Sequence, residues 1–218
     1  MELVLNFGIF PFRELVLPSR RERRPLGGEE VQLSEFLIRQ ARIEDRSAMG
    51  RILVAATQNA VRGLVPDQCL EWLTPEESAA NWAKYLKSEE RLAGEDFLIV
   101  AETKPHGVIG LALLSKRFDS DDINDLRVFA WELRTLHVDP VWQRLGIGRR
   151  LVARVADQVW KEGARRLLVR ALVENPNRAF YEHLGARRLC LQPYDWDGYQ
   201  TKEILYGWDD INRLRNAA

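Results

Sequence analysis

Between Leu136 and Val152 the chain reads Leu-His-Val-Asp-Pro-Val-Trp-Gln-Arg-Leu-Gly-Ile-Gly-Arg-Arg-Leu-Val. An apolar strand, a loop with two glycines and the start of an amphipathic helix follow one another without a break. Such a junction is suited to an anion. The first N–H groups of a helix have no partner within it and lie at the positive end of its dipole, so a phosphate placed there gains hydrogen bonds and field together. Gly146 and Gly148 carry no Cβ, which lets the backbone turn sharply and approach a ligand. Gln143, Arg144, Arg149 and Arg150 add donors and positive charge, while Leu145, Ile147, Leu151, Val152 and Val155 are spaced to face a core.

A glycine pair alone does not name the ligand, since many strand-to-helix turns carry two glycines and bind nothing. No Gly-Lys-Ser/Thr follows, as a phosphate-binding NTPase loop requires, and Leu151 stands where a dinucleotide fingerprint has its third glycine. A nucleotide-dependent oxidoreductase also lacks a clear ribose-binding acid on the next strand.

The rest of the chain alternates strands and helices. A strand is expected at Phe36–Ala41, then a helix opened by Glu44 and Asp45 and running through Ile52 and Leu53. Thr74-Pro75-Glu76-Glu77 is a capping box with proline at the first helical position, predicting a helix through Trp82 and Leu86. Asp96–Glu102 and Val108–Leu114 flank Lys104-Pro105-His106-Gly107 and form a hairpin. Ser115–Asp125 is polar. A long strand is expected from Leu126 to Val138, then the glycine-bearing helix to about Gly163, a strand at Arg166–Ala171, a helix at Pro176–Leu184, and strands at Ala186–Leu191 and Glu203–Trp208. This order predicts a mixed sheet. Residues 1–34, with apolar Phe7–Phe12 and the basic run Arg20–Arg24, read as an N-terminal extension, partly ordered by packing Phe7, Ile9, Phe10 and Phe12 on the domain or on a partner subunit.

Composition sets outer bounds. The 218 residues suit one domain, and 46% hydrophobic content supports a sizeable core. Lys+Arg and Asp+Glu balance at 32 each, so no global field points to nucleic acid or an anionic membrane as the partner. Cys69 and Cys190 suggest neither a disulfide framework nor a metal site, and His106, His137 and His183 have no metal-ligand spacing. No run approaches the about 20 apolar residues that span a bilayer, and Glu2 stands where a signal peptide has positive charge, so a cytoplasmic protein is expected.

A second motif narrows the chemistry: Asn175-Pro176-Asn177-Arg178-Ala179-Phe180-Tyr181-Glu182-His183-Leu184-Gly185. Together with Gln143-x-x-Gly146-x-Gly148 it resembles, in order and spacing, the acetyl-CoA-binding motif and following helix of the GNAT superfamily of N-acetyltransferases. The resemblance extends from about Phe36 to Trp208, with most of its specificity between Leu133 and Gly185. It implies a single GNAT-like α/β domain of the α+β type over residues 35–218, with a mixed, mostly antiparallel twisted sheet, splayed central strands and flanking helices. Acetyl-CoA is the implied cosubstrate. Pantetheine would lie in the splay against the backbone of Leu136, His137 and Val138. Gln143, Arg144, Leu145, Gly146, Ile147, Gly148 and Arg149 would grip the pyrophosphate, and Asn175, Ala179 and Phe180 would flank the cofactor. The implied partner is an amine-bearing acceptor, small molecule or peptide. Dimers are common in the superfamily, which leaves a homodimer open.

Acetyl transfer to an amine needs a neutral nucleophile, whereas an alkylamine has a pKa of about 10.4 and is protonated at neutral pH. A base must remove that proton, an N–H must stabilise the oxyanion, and an acid must meet the departing thiolate. By resemblance Tyr181 stands at the sulfur. Read alone, it is equally a core residue whose hydroxyl finds any partner. Glu132, eleven residues before Gln143, matches a strand glutamate that acts as base in some members; it is also placed to pair with Arg134 at a strand edge. His137 alternates with Leu136 and Val138 and is a weaker candidate for the same role. No cysteine is placed to carry an acyl group, so direct attack in a ternary complex is expected. A noncatalytic acyl-CoA-binding module is the alternative. By resemblance, acceptor specificity is expected from Gln58–Trp72, including Arg62 and Trp72, and from a loop at Gln192–Thr201, where Tyr194, Asp195, Trp196, Asp197 and Tyr199 suit a cationic amine; read alone, these residues equally form a surface turn whose aromatics pack on a neighbour.

Overall fold

The computed structural model describes residues 36–88, 95–117 and 126–216. The N-terminal extension with its basic run, and most of the polar stretch before Asp125, lie outside the described residues. In chain order the elements are β1 (Phe36–Gln40), α1 (Arg46–Val61), α2 (Gln68–Glu71), α3 (Pro75–Tyr85), β2 (Asp96–Thr103), β3 (Gly107–Lys116), β4 (Trp131–Val138), α4 (Ile147–Lys161), β5 (Leu167–Leu172), α5 (Arg178–His183), β6 (Arg187–Trp196), β7 (Tyr199–Trp208) and α6 (Asn212–Arg215). Thr74 caps α3 as expected, its hydroxyl accepting the Glu77 N–H at 3.2 Å.

The seven strands form one sheet in the order β1-β2-β3-β4-β5-β7-β6. Every pairing is antiparallel except that of β4 with β5, which is parallel and confined to Glu132 opposite Leu168 and Leu133 opposite Val169. Beyond Leu133 the two strands diverge. β3 stays paired with β4 as far as Val138, so the edge that β4 leaves bare faces the gap toward β5.

A bulge sets which side chains face which way at this gap. Leu113 lies opposite Thr135 and Leu114 opposite Leu133, leaving Arg134 as the extra residue. The inserted residue inverts the alternation. Leu133 and Leu136, three apart, therefore both enter the core beneath α4 with Ile147, Leu151, Val155, Val169, Ala171, Tyr181 and Tyr206. The opposite face carries a second core, where Met49, Ile52, Leu53 and Trp82 of α1 and α3 cover Leu98, Val100, Leu111 and Leu113.

Two expected elements change shape. The strand expected to start at Leu126 begins only at Trp131, because Leu126–Phe129 forms a turn closed by the Phe129 N–H to Leu126 C=O bond. The Arg117 guanidinium donates to the carbonyls of both Leu126 and Phe129, at 2.8 and 3.1 Å, occupying groups that a strand would have used. The loop expected at Gln192–Thr201 is instead the end of a long hairpin. β6 and β7 pair continuously from Gln192 opposite Glu203 to Trp196 opposite Tyr199. Asp197 and Gly198, at φ of 51° and 86°, make the two-residue turn. No helix among the described residues is long and apolar enough to cross a membrane.

Candidate active site

The β4–α4 junction forms as its residue types require. Gly146 is the N-cap of α4 at φ 84°, and Arg144 also takes a left-handed conformation at φ 67°. Two left-handed residues so close together turn the chain sharply and leave the first N–H groups of a fifteen-residue helix facing outward. The Gln143 side-chain amide donates to the Val138 carbonyl at 3.0 Å, tying the loop to the end of β4. Gly148 faces α5, where a Cβ would stand in ordinary contact, 3.5 Å from the Phe180 ring.

These elements border a cleft of about 540 Å³ at the splay, within the about 300–1,000 Å³ typical of small-molecule sites. Of the residues expected to hold the cofactor, Leu136, Val138, Gln143, Arg144, Gly146, Ile147, Gly148, Arg149, Ala179 and Phe180 line it. Leu145 packs partly against the core beneath α4 instead. His137, Asn175, Tyr181 and Glu132 are not among the lining residues. Trp142, Pro176, Asn177 and His183 line the cleft without having been singled out. All four lie inside the two motifs, so motif membership was the available signal.

Behind the cleft the second motif is braced from several sides. Arg178 donates to the carbonyls of Val173 and Asn175, both at 2.7 Å. Asn175 is buried; its Oδ1 accepts the Asn177 N–H at 2.9 Å, while Nδ2 has no partner on the protein. Tyr181 is fully buried among Phe180, Tyr206 and Trp208, and its hydroxyl also has no partner. Burial raises its pKa well above the ordinary tyrosine value, so the phenol holds its proton. Buried polar atoms are nearly always satisfied, and two without a partner on the protein lie in the motif behind the cleft. Together with the bare edge of β4 and the open helix terminus, these groups fit an amide-bearing, phosphate-bearing cofactor. Among the described residues no group of three or more His, Cys, Asp or Glu is placed to hold a metal.

The opposite face of the splay is built from charge. Glu132 is 3% exposed. It pairs with Arg170 Nε at 3.1 Å through one oxygen and with Arg117 Nε at 3.6 Å through the other, rather than with Arg134. His137, on the same side of the inverted alternation as Thr135, is buried with Nε2 unpartnered, and desolvation lowers its pKa to about 4. Glu203, on β7, is 1% exposed; it accepts a long hydrogen bond from Gln192 Nε2 at 3.4 Å, and its pKa is raised by burial against the pull of Arg170. Its neighbour Tyr194 is pushed up to about 12 by burial and by the charge of Glu203. Glu174 accepts from the Thr201 hydroxyl at 2.6 Å. The half-buried rings of Tyr194, Trp196 and Tyr199 pack with Val61, Val65, Cys69 and Leu70. The hairpin and the α1–α2 region thus meet. Glu203 and Arg170 lie outside both motifs, although a charged residue within an apolar strand, beside Ile204 and Leu205, is a readable signal.

Comparison with known proteins agrees with this geometry. Residues 62–186, more than half of the chain, match the sequence pattern described as the Acetyltransferase (GNAT) family. The chain is similar to an uncharacterized N-acetyltransferase of Bacillus subtilis, YuaI, at 24% identity over 178 residues that cover 82% of this chain and 95% of the relative. Its fold is similar to that of the ribosomal-protein-S5-alanine acetyltransferase of Vibrio fischeri, with a TM-score of 0.60 and 17% identity over 84% of this chain and 97% of the other. It is likewise similar to the PaiA N-acetyltransferase of Thermoplasma acidophilum in complex with coenzyme A, with a TM-score of 0.58 and 15% identity over 78% and 98%.

Proposed function

The chain belongs to the GNAT acetyltransferase family, and from that premise we propose that it N-acetylates a cationic primary amine by direct attack within a ternary complex. Acetyl-CoA is the cosubstrate and supplies the acetyl group as a thioester. The observation that carries the reading is the division of the splay: an anion-binding helix terminus and a bare strand edge on one side, buried carboxylates and aromatic rings on the other.

On the cofactor side, the α4 terminus with Gly146, Ile147 and Gly148 offers N–H groups to a pyrophosphate, and Arg144 and Arg149 add charge beside them. Leu136 and the Val138 N–H offer backbone groups along the bare edge of β4, His137 between them turns its own backbone to β3, and Gln143 holds the edge in place through the Val138 carbonyl. Asn175 braces the start of α5, with Ala179 and Phe180 forming the far wall. Tyr181, protonated and with an unsatisfied hydroxyl, is suited to give the departing sulfur its proton. On the acceptor side, Glu174 and Glu203 with Tyr194, Trp196 and Tyr199 favour an ammonium group through charge and cation–π attraction.

The test is release of free thiol from acetyl-CoA against four amines: spermidine, free lysine, a peptide beginning with alanine and a peptide with an internal lysine. Thiol release that depends on one of them, with initial-rate lines that intersect when both substrates are varied, is expected. Tight binding of acetyl-CoA with no amine-dependent release would favour a noncatalytic binding module.

A further inference from the structure

Two carboxylates, Glu132 and Glu203, are buried on the same face of the sheet beside the splay, and they are not equivalent. Glu132 stands where β4 and β5 are still hydrogen-bonded, opposite Leu168, with a guanidinium against each of its oxygens. Glu203 stands where β5 ends, paired with Leu172, the last residue of that strand, at the level where the splay is open. Its hydrogen bond comes from a neutral amide at a length near the limit for such bonds. Resting on the amine-acetylation reading above, we propose that Glu203 receives the proton of the acceptor ammonium, and that Glu132 holds β4 to β5 and takes no proton.

A carboxylate held by two cations is the weaker base, because each guanidinium stabilises its charged form. One whose hydrogen bond comes from a neutral amide is the stronger. The charged and titratable groups that reach Glu203 are Glu132 and Arg134 from β4, Arg170 from β5 and Tyr194 from β6. Burial outweighs the attraction of Arg170 and raises the proton affinity of Glu203, in the direction a base near neutral pH needs. The other carboxylates near the hairpin are worse placed. Asp195 is exposed and holds the turn through Gly198 N and Gln200, and Glu174, outside the hairpin between β5 and α5, stands against the hydroxyls of Thr201 and Tyr199. In the proposed step the ammonium N–H bond breaks, the proton binds a carboxylate oxygen of Glu203 directly or through one water, and the electron pair stays on nitrogen. Glu203 then returns the proton to solvent.

The test uses the full chain with Glu203→Gln, Glu203→Asp and Glu132→Gln. Carbonyl-region NMR of chain carrying ¹³Cδ-labelled glutamate reads Glu203 without any substrate. A resonance that titrates above the ordinary glutamate value of about 4.3 and vanishes in Glu203→Gln is expected. With the fastest of the four amines, Glu203→Gln is expected to lower kcat/KM by about a hundredfold or more and to remove the acid limb of its pH profile. Coenzyme A affinity should stay within about twofold, Glu203→Asp should restore part of the rate, and Glu132→Gln should keep the limb. An acid limb that survives Glu203→Gln, or is lost in Glu132→Gln alone, overturns the assignment, as does a Glu203 resonance in the ordinary range. Wild-type protein that turns over none of the four amines overturns the acceptor reading and this assignment with it.

Discussion

The two faces of the splayed sheet solve opposite problems with opposite materials. Under α4, the cofactor side is made of backbone and small or apolar side chains: the bare edge of β4, the α4 terminus, and Leu136, Ile147, Gly148 and Phe180. On the other side, Glu132 and Glu203 are buried, with the half-buried Arg117 and Arg170 against Glu132. Backbone dipoles are fixed by the fold and carry no net charge, so desolvating them costs less than burying an unpaired ion. Buried charges cost folding free energy unless paired, and removing one partner strands the other. Substitutions on the cofactor side should therefore act on affinity, and those on the acceptor side on stability and on pH dependence.

The largest separation is expected at Glu132. Glu132→Gln leaves Arg117 and Arg170 without their shared counter-charge in a buried setting and should cost about 3 kcal/mol of unfolding free energy while leaving coenzyme A affinity unchanged, as urea melts and calorimetry would show. A stability loss below about 1 kcal/mol would mean the cluster behaves like a surface pair. Gly148→Asp should do the reverse. Gly148 has ordinary helical backbone and room for a Cβ at 3.5 Å from Phe180, so the fold should survive. A carboxylate at the positive end of α4 should weaken coenzyme A by about a hundredfold, or about 2.7 kcal/mol.

Tyr181→Phe tests the boundary between the two sides. Its hydroxyl satisfies no group on the protein. The variant should keep its stability and its coenzyme A affinity, yet lose about thirtyfold or more in kcat. Unchanged turnover would reduce Tyr181 to a packing residue.

At neutral pH the smallest effect is expected at His137, whose influence appears only in acid. Its folded pKa, about 4, lies below the unfolded value of about 6.5. Its contribution is therefore complete above the unfolded value and is lost as pH falls toward the folded one. His137→Leu should flatten the loss of stability between those two pH values and leave melting at pH 8 little changed.

The same contrast explains what the sequence reveals. The cofactor side is contiguous: one stretch from Leu136 to Arg149 and one from Asn175 to Phe180 hold nearly all of it, and local geometry alone demands glycines and a helix start there. The acceptor side is brought together by strand pairing. Glu132, Arg170, Gln192 and Glu203 come from four strands, and only the register sets them side by side. Sequence spacing suggests Arg134 as the partner of Glu132. The bulge at Arg134 changes the alternation locally, and Arg117, just past the end of β3, and Arg170 of β5 take its place. The hairpin tip was legible in part. Asp197-Gly198 is a strong two-residue turn signal, but polar residues around it on both strands resemble a loop.

The division of labour across the sheet is tested most directly by following backbone amide shifts while coenzyme A is added to the ¹⁵N-labelled chain. The account predicts large changes at Leu136–Val138, Ile147–Arg149 and Asn177–Phe180, with Gln192, Tyr194 and Glu203 nearly unmoved. Changes centred on the β6–β7 hairpin, with the α4 terminus silent, would contradict it.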